Sequence, residues 1–224
     1  MICKTETYYQ NICDADGQVI KRELLTRLPP YDNGLRLGEF FETITPADSL
    51  EITIRQLELG SKVYSNTRVV CSVNVDNYVW LDDALKVRLV NACKQYSHPI
   101  ILEFTELRPM PPADEINSVF LELKRNGVQL ALDDFGTGLN GMSVFADYDF
   151  DIVKLDRKLT LGIKDRPQKL KVLSHVLELL NVLGKGHVVE GVEEQEQLKA
   201  LIAVGFSVFQ GFVFHHPAPV KEII

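Results

Sequence analysis

Short apolar segments alternate with amphipathic helical segments along most of this chain, and that alternation narrows the folds open to it. Apolar residues recur at helical spacing in segments 116–123, 170–180 and 198–202, and Gly127, Gly184 and Gly205 are placed to end those helices. Strands that alternate with helices are typical of a parallel α/β fold. The candidate strands end near seven positions: Leu28, Val75, Thr105, Asp133, Leu155, Val192 and Phe214.

The opening segment departs from this order. Segments 8–13 and 19–28 have the pattern of two strands, and Asp14-Ala15-Asp16-Gly17 between them is a hairpin turn signal. A barrel that begins with an antiparallel pair and continues as βα units fits both observations. The 224 residues contain no low-complexity linker or internal repeat, so we expect one domain over residues 1–224. After Pro219 the closing helix must be short or absent.

Composition excludes several classes of partner and site. The chain is 46% hydrophobic with a net charge of -7 and no block of Lys or Arg, which argues against a DNA or RNA duplex as partner. A small phosphorylated ligand is compatible with this negative charge if bound metal ions supply positive charge. We expect no signal peptide, no membrane span and a cytoplasmic protein. Four scattered cysteines without CxxC, and histidines without HExxH, make a zinc site improbable.

Polar residues lie at or near the carboxyl end of nearly every candidate strand, where barrel enzymes keep their active sites. Taken singly, each has an ordinary explanation: a solvated face, a structural hydrogen bond, a turn or helix cap, or a plain ion pair. Glu23 and Arg27 share a strand face, as do Lys154 and Asp156. The whole set is Glu23, Arg27, Asn74, Glu103, Asp133, Asp134, Lys154, Asp156, Glu190 and Gln210.

Taken together, these residues are harder to explain by ordinary structural roles, because a barrel brings them to one mouth. Many carboxylates at one place repel one another unless cations bind between them. Hard oxygen ligands select Mg²⁺ or Mn²⁺ over Zn²⁺. Two such ions about 3.5–4 Å apart form a site for phosphoester hydrolysis.

At this point the chain resembles the EAL domain family. Glu23-Leu24-Leu25-Thr26-Arg27 matches the ExLxR pattern, with Leu24 in place of the usual alanine. The resemblance implies a TIM-like (β/α)8 barrel with an antiparallel first strand, which hydrolyses the bacterial second messenger cyclic di-GMP to linear pGpG. The other motifs follow in family order: the Asn74 strand, Leu102-Glu103-Phe104-Thr105-Glu106, Asp133-Asp134-Phe135-Gly136-Thr137-Gly138, Lys154-Leu155-Asp156, Glu190-Gly191-Val192-Glu193 and Gln210-Gly211-Phe212.

The resemblance also implies a role for each residue. It implies two ions, Mg²⁺ or Mn²⁺, with Asp133 bridging them, and a homodimer. Glu106 anchors the loop after Asp134. The implied metal ligands are Glu23, Asn74, Glu103, Asp133, Asp134 and Glu190. The implied catalytic residues are Lys154, which positions and activates the attacking water, with Glu190 and Glu23. The implied substrate-binding residues are Arg27, which grips a phosphate, with Leu25, Gln210 and Asp156.

Two departures from the family pattern stand out. Leu139-Asn140-Gly141 replaces a segment that usually has an aromatic or similar residue followed by small serines, and Val189 replaces a common alanine. Neither removes an implied ligand. One alternative is a catalytically silent EAL protein that binds cyclic di-GMP or a protein partner, although silent members typically lose metal-binding residues. Another is an unrelated metal-dependent barrel enzyme, which would not explain the ordered motifs.

Overall fold

The computed structural model describes residues 5–28, 37–105, 109–137 and 141–224. The strands within them are β1 (Glu6–Asp14), β2 (Val19–Arg27), β3 (Val70–Val75), β4 (Ile100–Thr105), β5 (Val128–Phe135), β6 (Ile152–Leu155), β7 (Gly186–Val189), β8 (Val208–Gln210) and β9 (Ala218–Pro219). The α-helices are α1 (Leu37–Thr43), α2 (Pro46–Thr67), α3 (Asp83–Cys93), α4 (Ala113–Arg125), α5 (Val144–Asp147), α6 (Arg157–Thr160), α7 (Pro167–Val182) and α8 (Gln195–Val204). A short 3₁₀ turn, Val220–Glu222, follows β9.

Strands β1 to β8 form a closed barrel. Strands β2 to β8 pair in chain order and run parallel, whereas β1 pairs antiparallel with both β2 and β8 and so closes the sheet. Strand β9 adds a short antiparallel pairing to β1. The predicted TIM-like barrel with an antiparallel first strand is confirmed.

The predicted hairpin between β1 and β2 is also observed. The Asp14 carboxylate accepts hydrogen bonds from the backbone N–H groups of Asp16 and Gln18, at 3.0 and 2.8 Å. Gly17 has φ +84, a backbone conformation that glycine adopts without a Cβ clash. The turn therefore reverses the chain where the sequence indicated, and this reversal makes β1 antiparallel to its neighbours.

An apolar layer fills the barrel interior beneath the strand ends. It consists of the buried side chains of Ile12, Ile101, Ala131, Ile152 and Val188, with Val70 and Val208 packed against them. Side chains alternate along a strand, so residues two positions apart point to the same side. The residues two positions nearer the mouth than Ile101, Ala131, Ile152 and Val188 therefore also point into the interior; they are Glu103, Asp133, Lys154 and Glu190. The polar side chains at the mouth thus lie directly above a layer that excludes water.

The opposite faces of the strands pack against the helices. Leu102, Leu130 and Leu132 are fully buried there, and the Trp80 ring stacks on Phe104 with centroids 4.9 Å apart. Helices α4 and α8 end next to Gly127 (φ +81) and Gly205 (φ +112), as their sequences predict. No helix in the described part of the chain is both long and apolar enough to cross a membrane.

Two predicted strand ends were wrong. Strand β7 ends at Val189 instead of near Val192, and β8 ends at Gln210 instead of near Phe214. Gly191 has φ +63, which breaks the strand conformation. A Cβ on Gly211 would lie 2.0 Å from the Val192 carbonyl oxygen, so this backbone approach is open only to glycine. The two segments therefore continue as turns packed on each other.

Candidate functional site

Lys154 lies at the centre of the barrel mouth. Its side chain is only 1% exposed. Its Nζ lies within ion-pair distance of four carboxylates: Asp133 Oδ1 at 2.9 Å, Glu190 Oε1 at 2.9 Å, Glu103 Oε2 at 3.0 Å and Glu23 Oε2 at 3.3 Å. Burial alone lowers the pKa of Lys154, but the surrounding carboxylates outweigh burial and hold its pKa well above the usual range. The ammonium therefore stays protonated at neutral pH.

Glu23 is held by donors on both carboxylate oxygens. Asn74 Nδ2 donates to Glu23 Oε1 at 3.0 Å, and Gln210 Nε2 donates to Glu23 Oε2 at 2.6 Å. Burial raises the pKa of Glu23, but Lys154 and these two amides more than compensate and leave it lowered. Because Asn74 uses its amide nitrogen for Glu23, its amide oxygen can serve as a ligand for a cation.

A β-bulge brings the two consecutive aspartates to the same place. Leu132 pairs with Val153 and Phe135 with Leu155, so that Asp133 and Asp134 together face Lys154. Asp134 has φ +58, a left-handed conformation that is uncommon outside glycine. In a regular strand the two carboxylates would point to opposite faces. The bulge directs both into the barrel mouth.

The carboxylates form two overlapping groups that share Asp133. One group is Glu23, Glu103 and Asp133, and the other is Asp133, Asp134 and Glu190; within each, one carboxylate oxygen from every residue lies within 4.8 Å of the others. The donors are all oxygen atoms, as Mg²⁺ and Mn²⁺ prefer. The residues present therefore fit a pair of divalent cations with Asp133 between them.

The charges of this cluster are unbalanced. Five carboxylates surround one ammonium, and burial raises the pKa of Glu103 and Glu190 well above the usual value. Burial and the neighbouring Asp133 raise the pKa of Asp134 to about 6. Lys154 alone thus does not compensate for the negative charge, and divalent cations would do so.

Two clefts flank the cluster. The larger has a volume of about 710 Å³ and is lined by Leu25, Arg27, Phe41 and Tyr78 together with Glu23 and other residues of β2, α1, α2 and β3. The smaller has a volume of about 170 Å³ and is lined by Gln10, Asp156, Arg157, Glu190, Gly191, Glu193, Gln210, Gly211 and Phe212. The cluster therefore lies between two spaces that can receive the two halves of an elongated ligand.

Asp156 and Arg27 share strand faces with Lys154 and Glu23, respectively, and each could have formed a plain ion pair with that neighbour. Asp156 accepts a hydrogen bond from the Lys158 backbone N–H at 2.8 Å and so caps α6, while it also lines the smaller cleft. The Arg27 guanidinium donates to the Thr26 carbonyl at 3.0 Å and lines the larger cleft. Among the described residues, Lys154 forms ion pairs with Glu23, Glu103, Asp133 and Glu190. The ion-pair partner of Glu23 is therefore Lys154.

Sequence reasoning missed two features of the site. Gln10 on β1 is 8% exposed and accepts a hydrogen bond from Gln210 Nε2 at 3.1 Å. The only signal for it was a polar residue between the aromatic and apolar residues Tyr9 and Ile12. Phe212 is 48% exposed, and its ring stacks on His216 with centroids 4.3 Å apart. The sequence showed an aromatic residue within the Gln210-Gly211-Phe212 motif, but it did not show that the ring is exposed or where it lies.

Some predicted positions lie outside the described residues. These are Glu106, Gly138 at the end of the Asp133–Gly138 motif, and Leu139 and Asn140 within the unusual loop segment. Gly141, which ends that segment, is exposed.

Comparison with known proteins identifies the family. A family model described as "EAL domain" matches residues 3–217. The chain belongs to the EAL domain family. RocR of Pseudomonas aeruginosa, named a cyclic di-GMP phosphodiesterase, is 35% identical over 126 residues, which are 56% of this chain and 32% of RocR. PdeH of Escherichia coli, named likewise, is 25% identical over 99% of this chain and 87% of its own length.

A solved EAL structure resembles the whole barrel. BlrP1 of Klebsiella pneumoniae, in a complex with manganese and cyclic di-GMP, superposes with a TM-score of 0.82 at 25% identity, covering 97% of this chain and 57% of BlrP1. The chain thus spans about a third of RocR and somewhat more than half of BlrP1.

Proposed function

We propose that this EAL domain hydrolyses cyclic di-GMP to linear pGpG with two Mg²⁺ or Mn²⁺ ions. The observation that carries the proposal is the pair of carboxylate groups sharing Asp133 at the floor of the mouth, between clefts lined by Arg27 and Gln210. The curated relatives named cyclic di-GMP phosphodiesterases and the manganese complex of BlrP1 support the same substrate and metal class.

The cluster offers two overlapping sets of residues as the proposed metal ligands. Glu23, Asn74, Glu103 and Asp133 would hold one ion; Asp133, Asp134 and Glu190 would hold the other. When bound, the two cations supply the positive charge that promotes water ionisation and stabilises the transition-state phosphate.

The protein side chains then position and exchange protons. Lys154 is protonated, so its Nζ holds the oxygen of the attacking water by donating a hydrogen bond and does not act as a base. Glu190 lines the smaller cleft and takes the proton of that water. The water oxygen bonds to phosphorus, the bond from phosphorus to the ribose 3′ oxygen breaks, and that oxygen takes a proton from solvent water. The product is linear, with a 5′-phosphate and a 3′-hydroxyl.

Substrate-binding groups surround the cluster. Arg27 offers a planar fork for a phosphate on the side of the larger cleft, where Leu25 supplies an apolar wall. Gln210 and Asp156 line the smaller cleft on the opposite side. Cyclic di-GMP contains two phosphates and two guanines, so a macrocycle lying across the cluster would contact both clefts. We also propose, from the family resemblance alone, that the chain acts in the cytoplasm as a homodimer.

The proposal is tested by incubating the purified protein with cyclic di-GMP and Mg²⁺ or Mn²⁺ and following pGpG by chromatography. We expect pGpG to form, and formation to stop with a chelator or with the Glu23→Ala substitution. Ligand binding without product in the unsubstituted protein would contradict hydrolysis and favour the sensor alternative.

Cation binding is expected to tighten as pH rises. In the metal-free cluster the raised pKa values of Asp134 (about 6), Glu103 and Glu190 keep protons on the ligands, and a cation must displace them. The dissociation constant for Mn²⁺ should fall between pH 5 and 7, by about tenfold per pH unit for each proton displaced. Calorimetry in two buffers of different ionisation enthalpy measures both affinity and protons released. A pH-independent affinity in this range would contradict the prediction, and Asp134→Asn should reduce the slope.

Phe212 is expected to stack on one guanine of the substrate. Its half-exposed ring lies beside Glu190 and Gln210 and is backed by the His216 imidazole. Base stacking on an aromatic side chain contributes about 1–3 kcal/mol, so Phe212→Ala should raise KM roughly tenfold and leave kcat within about threefold. Phe212→Tyr keeps the ring and serves as the matched control. Unchanged KM in the alanine variant would show that the ring does not contact the base.

A further inference from the structure

A chain of hydrogen bonds leads from the barrel-closing strand β1 to Glu23. Gln10 Nε2 donates to the His215 carbonyl oxygen at 3.0 Å, and Gln10 Oε1 accepts from Gln210 Nε2 at 3.1 Å. Gln210 Nε2 also donates to Glu23 Oε2 at 2.6 Å. Gln10 and Gln210 are 8% and 5% exposed, so water competes little for these bonds.

The donor-to-acceptor direction of these hydrogen bonds is fixed by the two groups at the ends of the series, the His215 carbonyl and the Glu23 carboxylate. A backbone carbonyl and a carboxylate can only accept hydrogen bonds. Gln10 must therefore present its NH₂ group to His215, which leaves its oxygen facing Gln210. Gln210 must then present its NH₂ group to both Gln10 and Glu23, one hydrogen to each. Reversal of either amide would place two acceptors against each other.

His215, whose carbonyl begins this series of hydrogen bonds, is itself held by several contacts. The His215 N–H donates to the Gly211 carbonyl at 3.1 Å, and the His215 imidazole Nδ1 accepts from the Asn11 N–H at 3.4 Å. The His215 ring also stacks on Tyr9 with centroids 4.9 Å apart. The carbonyl that sets the amide direction thus lies on a turn that is closed by one internal hydrogen bond and anchored to β1 at two points.

A consequence of this direction is visible at Gln210. Its side-chain oxygen is buried and finds no hydrogen-bond partner among the described residues. Since its nitrogen is committed to Gln10 and Glu23, this oxygen is left as a fixed acceptor on a side chain that lines the smaller cleft. An unsatisfied buried acceptor is costly unless a water or ligand donates to it.

We propose that Gln10 is a positioning residue, which locks the amide of Gln210 in the one orientation that donates a hydrogen bond to Glu23. Gln10 acts through Gln210 and needs no contact with substrate. The inference rests on the proposed function where turnover is concerned, because Glu23 acts there as a metal ligand. The amide orientation itself does not depend on that function.

The first test is spectroscopic and needs neither metal nor substrate. In protein with ¹⁵N-labelled glutamine, the side-chain NH₂ signals of Gln210 are assigned by their loss in Gln210→Met. We expect Gln10→Met to shift these signals and narrow the difference between the two hydrogens. Ile20→Val, a conservative change at an exposed position of the neighbouring strand β2, should leave them in place. Gln210 signals unchanged by Gln10→Met would overturn the proposal.

The second test measures turnover of cyclic di-GMP with Mn²⁺. Residues that orient metal ligands typically contribute 10–100-fold to activity, so Gln10→Met should lower kcat by about 10–100-fold with KM within about threefold. The Gln10→Met, Gln210→Met double variant should be no slower than Gln210→Met alone. Multiplicative losses would mean that Gln10 acts separately, and would overturn the proposal.

If the Gln10→Met protein does not fold, a second variant, Gln10→Glu, still tests the proposal. Gln10→Glu keeps the shape but places a carboxylate oxygen against the His215 carbonyl, and it should shift the Gln210 signals and lower kcat as well. A Gln10→Glu protein with normal kcat and normal Gln210 signals would overturn the proposal. If the unsubstituted protein makes no pGpG, the proposed function fails, while the spectroscopic result still decides the role of Gln10.

Discussion

Asp133→Asn is expected to abolish pGpG formation, by at least about a thousandfold, while leaving the metal-free fold no less stable than the unsubstituted protein. The activity loss follows because Asp133 is the one residue shared by both carboxylate groups, so its removal affects both proposed cation sites. The stability result follows because burial raises the pKa of Asp133, which means that folding disfavours its charged form. Lys154 keeps three other carboxylate partners.

Turnover and thermal unfolding in a chelator measure the two halves of this prediction. Asp147→Asn removes one charge from an exposed position on α5, outside the carboxylate cluster, and should change neither quantity. Substantial turnover in Asp133→Asn would exclude a shared bridging ligand. A marked loss of metal-free stability would show that the Asp133–Lys154 contact outweighs the repulsion among the carboxylates.

Lys154→Met is expected to destabilise the metal-free protein by about 3–5 kcal/mol, because it removes the ammonium around which four buried carboxylates are arranged. For a chain of this size that corresponds to a fall in Tm of roughly 6–20 °C. Divalent cations should restore part of the stability, since they supply positive charge at the same place. Turnover should stay low even with metal, because Lys154 is the proposed donor to the attacking water.

The stability lost in Lys154→Met should increase with pH. Without the ammonium, the pKa values of Glu103 and Glu190, already raised, should rise further, so the folded state binds more protons than the unfolded state. Stability then decreases as pH increases, and the deficit should be larger at pH 8 than at pH 5. Thermal unfolding at both pH values, with chelator or Mn²⁺, tests this. Lys199→Met, on the exposed face of α8, is the control. Equal stability of Lys154→Met and the unsubstituted protein in chelator at pH 8 would contradict the prediction.

The fold could be predicted because its signals are local. Strand and helix periodicity, the turn at Asp14–Gly17 and the glycines that end helices each depend on neighbours in the chain. The convergence of Glu23, Glu103 and Lys154 followed from the rule that parallel strands of a barrel end at one mouth.

The details of the site depend on contacts between distant segments, which no local pattern records. The bulge that turns both Asp133 and Asp134 into the mouth arises from the register between β5 and β6. Gln10 was missed because it meets Gln210 200 positions further along the chain. The ends of β7 and β8 were misplaced because the backbone approach at Gly211 lies between two loops.

The reversed direction of β1 also determines where neighbouring polypeptide would lie. In a barrel with all strands parallel, the first strand would start at the end opposite the mouth. Here Glu6 pairs with Arg27 at the mouth, and β9 pairs with Tyr8 and Tyr9 just below it. Polypeptide joined before β1 or after β9 would therefore emerge beside the rim. A domain attached at either point would lie next to the entrance of the barrel, on the side where β1 and β9 pair.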